Sequence, residues 1–277
     1  MRPMPDEQLA DRYLELVKRS VAGVLHERAY ALRPGEFEGR RRRTGAAAAR
    51  GAASLAGALS GQPLTVVREL APGTEAGAWP LAAETMIGTR RLDHLQRCVE
   101  TVLADGVPGD VVEAGCWRGG AAILMRAVLE AREVRDRRVW LADTFAGLPP
   151  GTPADGSLRL DRFRELAVSR AEVERAFARY GLLDDQVRFV EGLFADTLPR
   201  LRAERWALVQ IDADLHASTA DALEHLYPGL QAGGFLLVDD YGALDGCRRA
   251  VDAFRAAHGI EEPLEWIGGG AVCWRRP

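Results

Sequence analysis

Four aspartates end two apolar runs. In LVQIDADLHAS (208–218), Val209 and Ile211 have the character of core residues, whereas Asp212 and Asp214 do not. In GGFLLVDDYG (233–242), a second apolar run stops at Asp239 and Asp240. Carboxylates that converge on one cleft repel one another, and left unpaired they raise their pKa values or destabilise the fold. A divalent cation resolves the conflict, and an all-oxygen ligand set points to Mg2+ or Ca2+ rather than zinc. Such a cation makes a nearby hydroxyl more acidic, and an adjacent carboxylate can then take its proton. The plainer alternative is helix capping, since Asp214 or Ser218 could cap a helix over 217–227. Capping explains one acid more readily than acids at the ends of both runs.

Upstream lies a glycine turn, VVEAGCWRGGAAILM (111–125). Gly115, Gly119 and Gly120 let a ligand approach the backbone, and the helix that follows offers N–H groups. A dinucleotide fingerprint requires G-x-G-x-x-G. Here the pattern is G-x-x-x-G-G, with Trp117 in place of the middle glycine, which suits a ligand without a pyrophosphate. The next run, VWLADTF, ends in Asp143, a residue able to grip both hydroxyls of a ribose. FVEG follows, where Glu191 and Gly192 could edge an adenine. A generic α/β turn with solvated acids is the competing reading of the glycines alone.

These residues need elements to position them. Short apolar strands are expected at 110–114, 138–142, 187–190, 206–211 and 234–238, alternating with helices over 119–133, 170–180, 194–202, 217–227 and 244–257. A further helix over 90–106 carries Leu92, Leu95, Val99 and Val102 or Leu103 at helical spacing and closes at Gly106. A terminal strand pair is expected around Gly268–Gly270. Repeated β-α-β units imply a mostly parallel sheet with helices on both faces, a Rossmann-like α/β fold whose ligands sit beyond the carboxyl ends of the strands. Residues 6–31 place Leu9, Tyr13, Leu16, Val17, Val21, Val24 and Leu25 on one helical face. Residues 33–63, rich in Gly, Ala and Arg and including the run Arg40–Arg43, read as an exposed linker or loosely helical insert. The chain thus divides into an N-terminal helical extension, 1–79, and an α/β domain, 80–277.

Composition bounds the rest. A length of 277 residues permits a large core, and a net charge of −4 argues against nucleic acid as a partner. Cys98, Cys116, Cys247 and Cys273 lie far apart with no C-x-x-C pair, which gives neither a disulfide framework nor a zinc site. A reduced, cytoplasmic protein is expected. No apolar run reaches the ~18–20 residues of a membrane span, and the acidic N-terminus is unlike a signal peptide. The amphipathic N-terminal helix leaves a homo-oligomer possible.

Six segments taken in order, ETMIGTRRLDHL, GDVVEAGCWRGGAAILMRAVL, DTFAGLPP, VEGLFADTLP, IDADLHASTADALEHLYPGLQAGGFLLVDDYG and CRRAVDAFRAAHGI, resemble the macrocin-type O-methyltransferase family. The resemblance spans about residues 84–260 and extends weakly to RYLELVKRSVAGVLHE (12–27). It implies the class I S-adenosylmethionine-dependent methyltransferase fold and a Mg2+-assisted methyl transfer to a sugar hydroxyl on a glycosylated secondary metabolite. It implies that Glu113, Gly115, Trp117 and Gly119 form the first cofactor motif, with Asp143 on the ribose and Glu191 and Gly192 at the adenine. Met86 falls in a segment that closes over the methionine end. Asp212, Asp239 and Asp240 match the metal ligands, and Asp214 matches the general base. The family pattern favours an aromatic after IDADL, where this chain has His216, a second candidate for base or sugar contact. A metal-dependent catechol or phenol methyltransferase and a non-catalytic protein retaining the fold are the alternatives. Trp79, Trp140, Trp206, Trp266 and Trp274 read as core or interface, and His225 and His258 as structural.

Overall fold

The computed structural model of the chain describes residues 6–25, 30–32, 65–67, 79–80, 82–157 and 159–277. In chain order it forms α1 (Asp6–Val21), three short strands β1 (Tyr30–Leu32), β2 (Thr65–Val67) and β3 (Trp79–Pro80), then α2 (Gly88–Ala104). There follow β4 (Asp110–Ala114), α3 (Gly120–Ala131), β5 (Val139–Asp143), α4 (Arg170–Arg179), β6 (Val187–Glu191), α5 (Phe194–Thr197) and β7 (Trp206–Ile211). The chain finishes with α6 (His216–Leu226), β8 (Leu230–Val238), α7 (Asp245–His258), β9 (Glu265–Gly268) and β10 (Ala271–Arg275).

The main sheet has the order β6-β5-β4-β7-β8-β10-β9. Its five strands from β6 to β8 are parallel, and β10 runs antiparallel between β8 and β9. The chain winds outward from β4 in one direction and from β7 in the other, so a crevice opens where their carboxyl ends diverge. Alternation builds the two faces. Val111 and Leu208 join a core with α1, α2, α3 and α4, while Val112 and Val209 join a core with α5, α6 and α7. This is the Rossmann-like α/β architecture, a mostly parallel sheet with helices on both faces.

Three boundaries differ from the sequence expectation, each for a local reason. The fifth strand starts at Leu230 rather than 234, because a bulge around Gly233 (φ +81°) carries the chain from Leu230, opposite Trp206, to Phe235, opposite Leu208. The helix expected over 194–202 is α only to Thr197 and continues as a 3₁₀ turn, Leu198–Leu201, that contains Pro199. The first helix stops at Val21, and Gly23 turns the chain with φ +68°. Its buried stripe is therefore Leu14, Val17 and Val21, while Leu9, Leu16 and Leu25 are exposed. That stripe covers α3, whose residues from Gly120 to Leu129 are all buried. A helix buried over most of its surface, with only the ion-paired Arg126 and Glu130 as charged residues, needs such a cover. The extension is not purely helical, since β1 pairs antiparallel with β2 and β3 in a small separate sheet. The 33–63 segment with Arg40–Arg43 lies outside the described residues. All four cysteines are free. Among the described residues no helix is long and apolar enough to cross a membrane.

Candidate active site

A cleft of about 640 Å³ opens at the crevice between β4 and β7. Its lining includes Met86, Gly115, Trp117, Asp143, Asp212 and Asp214. Gly115 (φ +89°) shows how closely the two halves meet, because a Cβ there would lie 1.9 Å from the Asp212 carbonyl oxygen. Only glycine allows this crossing. Its N–H donates to the Ala142 carbonyl, which ties the turn to β5 as well.

The glycine turn differs from an anion cradle. Gly119 N donates to Cys116 O and Gly120 N to Glu84 O, while Ala122 N donates to the Glu113 carboxylate at 3.0 Å. Protein acceptors thus use the start of α3, and this matches a ligand without a pyrophosphate. Glu113 is 2 % exposed and held well above the usual carboxylate range, chiefly by burial. It caps the helix from beneath and does not reach the cleft. Gly120 has its own close approach, since a Cβ would meet Glu84 O at 2.6 Å. This contact lays the 83–87 segment across the turn and brings Met86 to the cleft rim.

Asp143 sits at the end of β5 with both oxygens engaged: Oδ2 accepts from Cys116 N at 2.8 Å and Oδ1 from Phe145 N at 2.9 Å. Each oxygen retains a second acceptor direction for a ligand hydroxyl. Trp117 takes φ +46° and donates Nε1–H to Glu165 O at 2.9 Å, which fixes its ring against the 160–166 strap. Glu191 and Gly192 stand back. Glu191 is exposed, near Arg170, and Gly192 N donates to Asp143 O. Leu193 and Phe194 line the cleft in their stead, with Thr144, Gly147, Leu148, Pro149 and Leu166. These residues were not singled out from the sequence. The DTFAGLPP stretch held four of them, but only as part of a motif.

On the other side, ligand oxygens of Asp212, Asp214 and Asp240 lie within 4.8 Å of one another. The grouping does not come from a continuing strand. β7 ends at Ile211, Asp214 adopts φ +56°, and Leu215 N donates to Ala213 O. A tight turn, rather than extended alternation, points Asp212 and Asp214 the same way. Asp239 stands apart from the trio, ion-paired with Arg91. Arg91 also donates to the Ile87 and Met86 carbonyls, joining the rim segment to the acids. Sequence reasoning missed it, because one arginine on a helix carries no signal of its partner.

Burial and mutual repulsion push these carboxyls upward. Asp212 and Asp214 are held well above the usual range by desolvation and then by their aspartate neighbours. Asp240 rises to about 7 by desolvation and the adjacent Asp239, against the pull of Arg91. Asp239 is raised by burial despite Arg91. Asp240 Oδ2 is buried with no hydrogen-bond partner. An orphaned carboxylate oxygen facing two other acids fits an oxygen-loving divalent cation.

His216 opens α6 and does not line the cleft; its N–H donates to Asp155 Oδ1 at 2.7 Å. Burial of Asp155 is outweighed by this bond and by those from Thr152, so its carboxyl lies below the ordinary range. Asp155 also sits against Gly246, where a Cβ would be 2.5 Å from Oδ1. It latches the 152–155 turn to the helix that follows the acid loop.

The comparisons agree with this geometry. The profile of the family Macrocin-O-methyltransferase (TylF) matches residues 10–276. The 8-demethyl-8-(2,3-dimethoxy-alpha-L-rhamnosyl)-tetracenomycin-C 4'-O-methyltransferase of Streptomyces olivaceus is 53% identical over 202 residues, 71% of this chain and 77% of the relative. The mycinamicin III 3''-O-methyltransferase of Micromonospora griseorubida is 49% identical over 205 residues, 72% of this chain and 80% of the relative. The solved structure of the O-methyltransferase NovP superposes with a TM-score of 0.79 at 39% identity, covering 96% of this chain and 99% of that one. Fold, cleft and relatives together place this O-methyltransferase chain in the macrocin O-methyltransferase family.

Proposed function

We propose that the chain methylates a sugar hydroxyl of a glycosylated secondary metabolite, with S-adenosylmethionine as donor and Mg2+ as the assisting cation. The observation that carries the reading is the convergence of Asp212, Asp214 and Asp240 beside a cleft that also holds Gly115 and Asp143. The activities of the two relatives, on a rhamnosyl tetracenomycin and on mycinamicin III, support the sugar acceptor.

S-adenosylmethionine supplies an electrophilic methyl group on a charged sulfur. Asp143 would receive its ribose hydroxyls, Leu193 and Phe194 would flank the adenine, and Met86 would cover the methionine end. Asp212 and Asp240 would hold Mg2+, which when bound supplies Lewis acidity that makes an acceptor hydroxyl easier to deprotonate, while Asp239, expected from the sequence as a third ligand, is engaged by Arg91. Asp214 takes that proton. Asp214 lines the cleft beside Asp212, which suits a base acting on a hydroxyl held there. Trp117 and the 144–149 loop exclude water, and the Gly115 crossing fixes the donor half against the acceptor half. Positioning of this kind supplies much of the rate.

Mass spectrometry of reactions containing S-adenosylmethionine, Mg2+ and a panel of glycosylated metabolites tests the reading. The expected product is one methyl heavier on the sugar, and EDTA should prevent it. Methylation of a catechol in the panel and of no glycoside would overturn the sugar assignment, and full activity after exhaustive chelation would remove the cation.

A further inference from the structure

The cysteines are far apart in sequence, and their spacing carried no zinc signature. Folding changes that for one of them. Cys273 on β10 is paired in register with Glu265 on β9, so their side chains share one face of the hairpin. α2 lies against this face and inserts His94, which is 6 % exposed. The three side chains meet outside the catalytic cleft. His94 Nε2 is 3.4 Å from Glu265 Oε1 and 3.7 Å from Cys273 Sγ, and Cys273 Sγ is 3.7 Å from Glu265 Oε2. One ligand atom from each lies within 4.8 Å of the others.

We propose that His94, Glu265 and Cys273 bind one zinc ion at the edge of the sheet, with a water molecule in the fourth position. The separations carry the argument. Zinc bonds of ~2.3 Å to sulfur and ~2.0–2.2 Å to nitrogen or oxygen, set tetrahedrally, give ligand-to-ligand edges of roughly 3.3–3.7 Å. The His94–Cys273 edge falls in this range, and Glu265 meets the other two at similar separations through its two oxygens, Oε1 toward His94 and Oε2 toward Cys273. The donor set of thiolate, imidazole and carboxylate selects zinc over the hard cations that suit the aspartates. His94 has a supporting partner too, since its Nδ1 lies 3.5 Å from Cys98 Sγ, one helical turn along the same face. That contact orients the ring so that Nε2 faces the ion. The Glu265 side chain is 65 % exposed, which gives the ion a path in and its water access to solvent. Binding releases the Cys273 thiol proton to solvent as the zinc–sulfur bond forms.

The site would fasten the terminal hairpin to α2. Gly268 and Gly269 in that hairpin already lie against Arg90 and Arg91, and Arg91 is the partner of Asp239. A zinc clip would therefore brace the helix that holds the arginine of the acid cluster.

Cobalt(II) titration of the tag-free, metal-stripped protein tests this. A thiolate-to-cobalt charge-transfer band needs sulfur, and the aspartate cluster offers only oxygen, so the two sites are distinguished by spectrum. The expected result is one equivalent of cobalt giving that band, displaced by one equivalent of zinc. Cys273→Ser should abolish it. Glu265→Gln alters an exposed side chain with little risk to folding, and should weaken affinity on the order of tenfold or more, since even outer-shell losses reach that size. Cys98→Ala should keep the band, because only one thiolate ligates. Absence of the band in the wild type, its survival in Cys273→Ser, or unchanged affinity in Glu265→Gln overturns the proposal.

Discussion

At the end of β5 a single carboxylate, Asp143, has each oxygen satisfied by a backbone N–H. At the ends of β7 and β8 four carboxylates share one arginine, and one oxygen has no partner. The first region is complete in itself and offers spare acceptor capacity to hydroxyls. The second is frustrated, and only a cation or protonation relieves it. The difference teaches where each half's specificity lies. A settled carboxylate recognises a shape, whereas an unsettled cluster recognises a charge.

The comparison breaks most sharply at Asp214. Asp214→Asn keeps the side chain's size but removes its basicity, so kcat should fall by about 10²–10⁴-fold in steady-state assays, with S-adenosylmethionine binding retained. Near wild-type turnover would mean that the base lies elsewhere. Gly115→Ala attacks the crossing shared by both halves. With a Cβ 1.9 Å from the Asp212 carbonyl and φ +89°, the variant should lose more than roughly 3 kcal/mol in urea unfolding. An unperturbed midpoint would show that the crossing can relax. Asp143→Ala tests the settled half alone. Loss of charge-assisted bonds worth about 1.5–3 kcal/mol should weaken S-adenosylmethionine binding by roughly 10–100-fold in calorimetry while Mg2+ affinity holds. Equal loss of both would merge the two regions.

A smaller effect concerns stability and pH. Asp240's folded pKa, about 7, is raised above its unfolded value by burial and Asp239. The native state therefore binds its proton more tightly, and this contribution is present at low pH and lost as pH rises through 7. In metal-free protein Asp240→Asn should melt higher than wild type by about 2–4 °C at pH 7.5, and the gap should narrow at pH 5 and close only below the unfolded value of 3.8. A gap that widens at pH 5 reverses the sign and refutes the account. The smallest effect is expected for His216→Phe, since His216 stands off the cleft and its backbone is held by Asp155. Its kcat should stay within a few-fold of wild type, with any change in acceptor KM. Loss of the basic limb of the pH–rate profile in this variant would make His216 the base.

Much of this was legible in the sequence because the signals were local. The strands ending at Ala114, Asp143, Glu191 and Ile211 are apolar runs closed by glycines or acids, and α4 between two of them carries its buried residues Val173, Ala176 and Phe177 at helical spacing. The glycine turn, Asp143 and the two aspartate pairs were visible for the same reason. What stayed hidden depends on pairs distant in sequence. Arg91 meets Asp239 across 148 positions, and His94 meets Cys273 across 179. The left-handed turn at Asp214 was hidden differently. Nothing in DADL marks an aspartate as leaving the strand, although Asp is among the residues that tolerate that conformation. The α1 stripe was misread because Leu9 and Leu16 are as apolar as Leu14, and only the partner surface chooses among them.

That partner surface sets an order of events. α1 leaves the ribosome long before α3 exists, and α3 is buried from Gly120 to Leu129, with its Arg126 paired to Glu130 and Asp184. Until the chain has been made past Ala131, the stripe of Leu14, Val17 and Val21 has nothing to cover. Closing so long a loop for a contact between helices is entropically late and slow. Nascent chains of this protein should therefore pass through a stage in which an oily helix waits at one end and its seat is assembled far downstream.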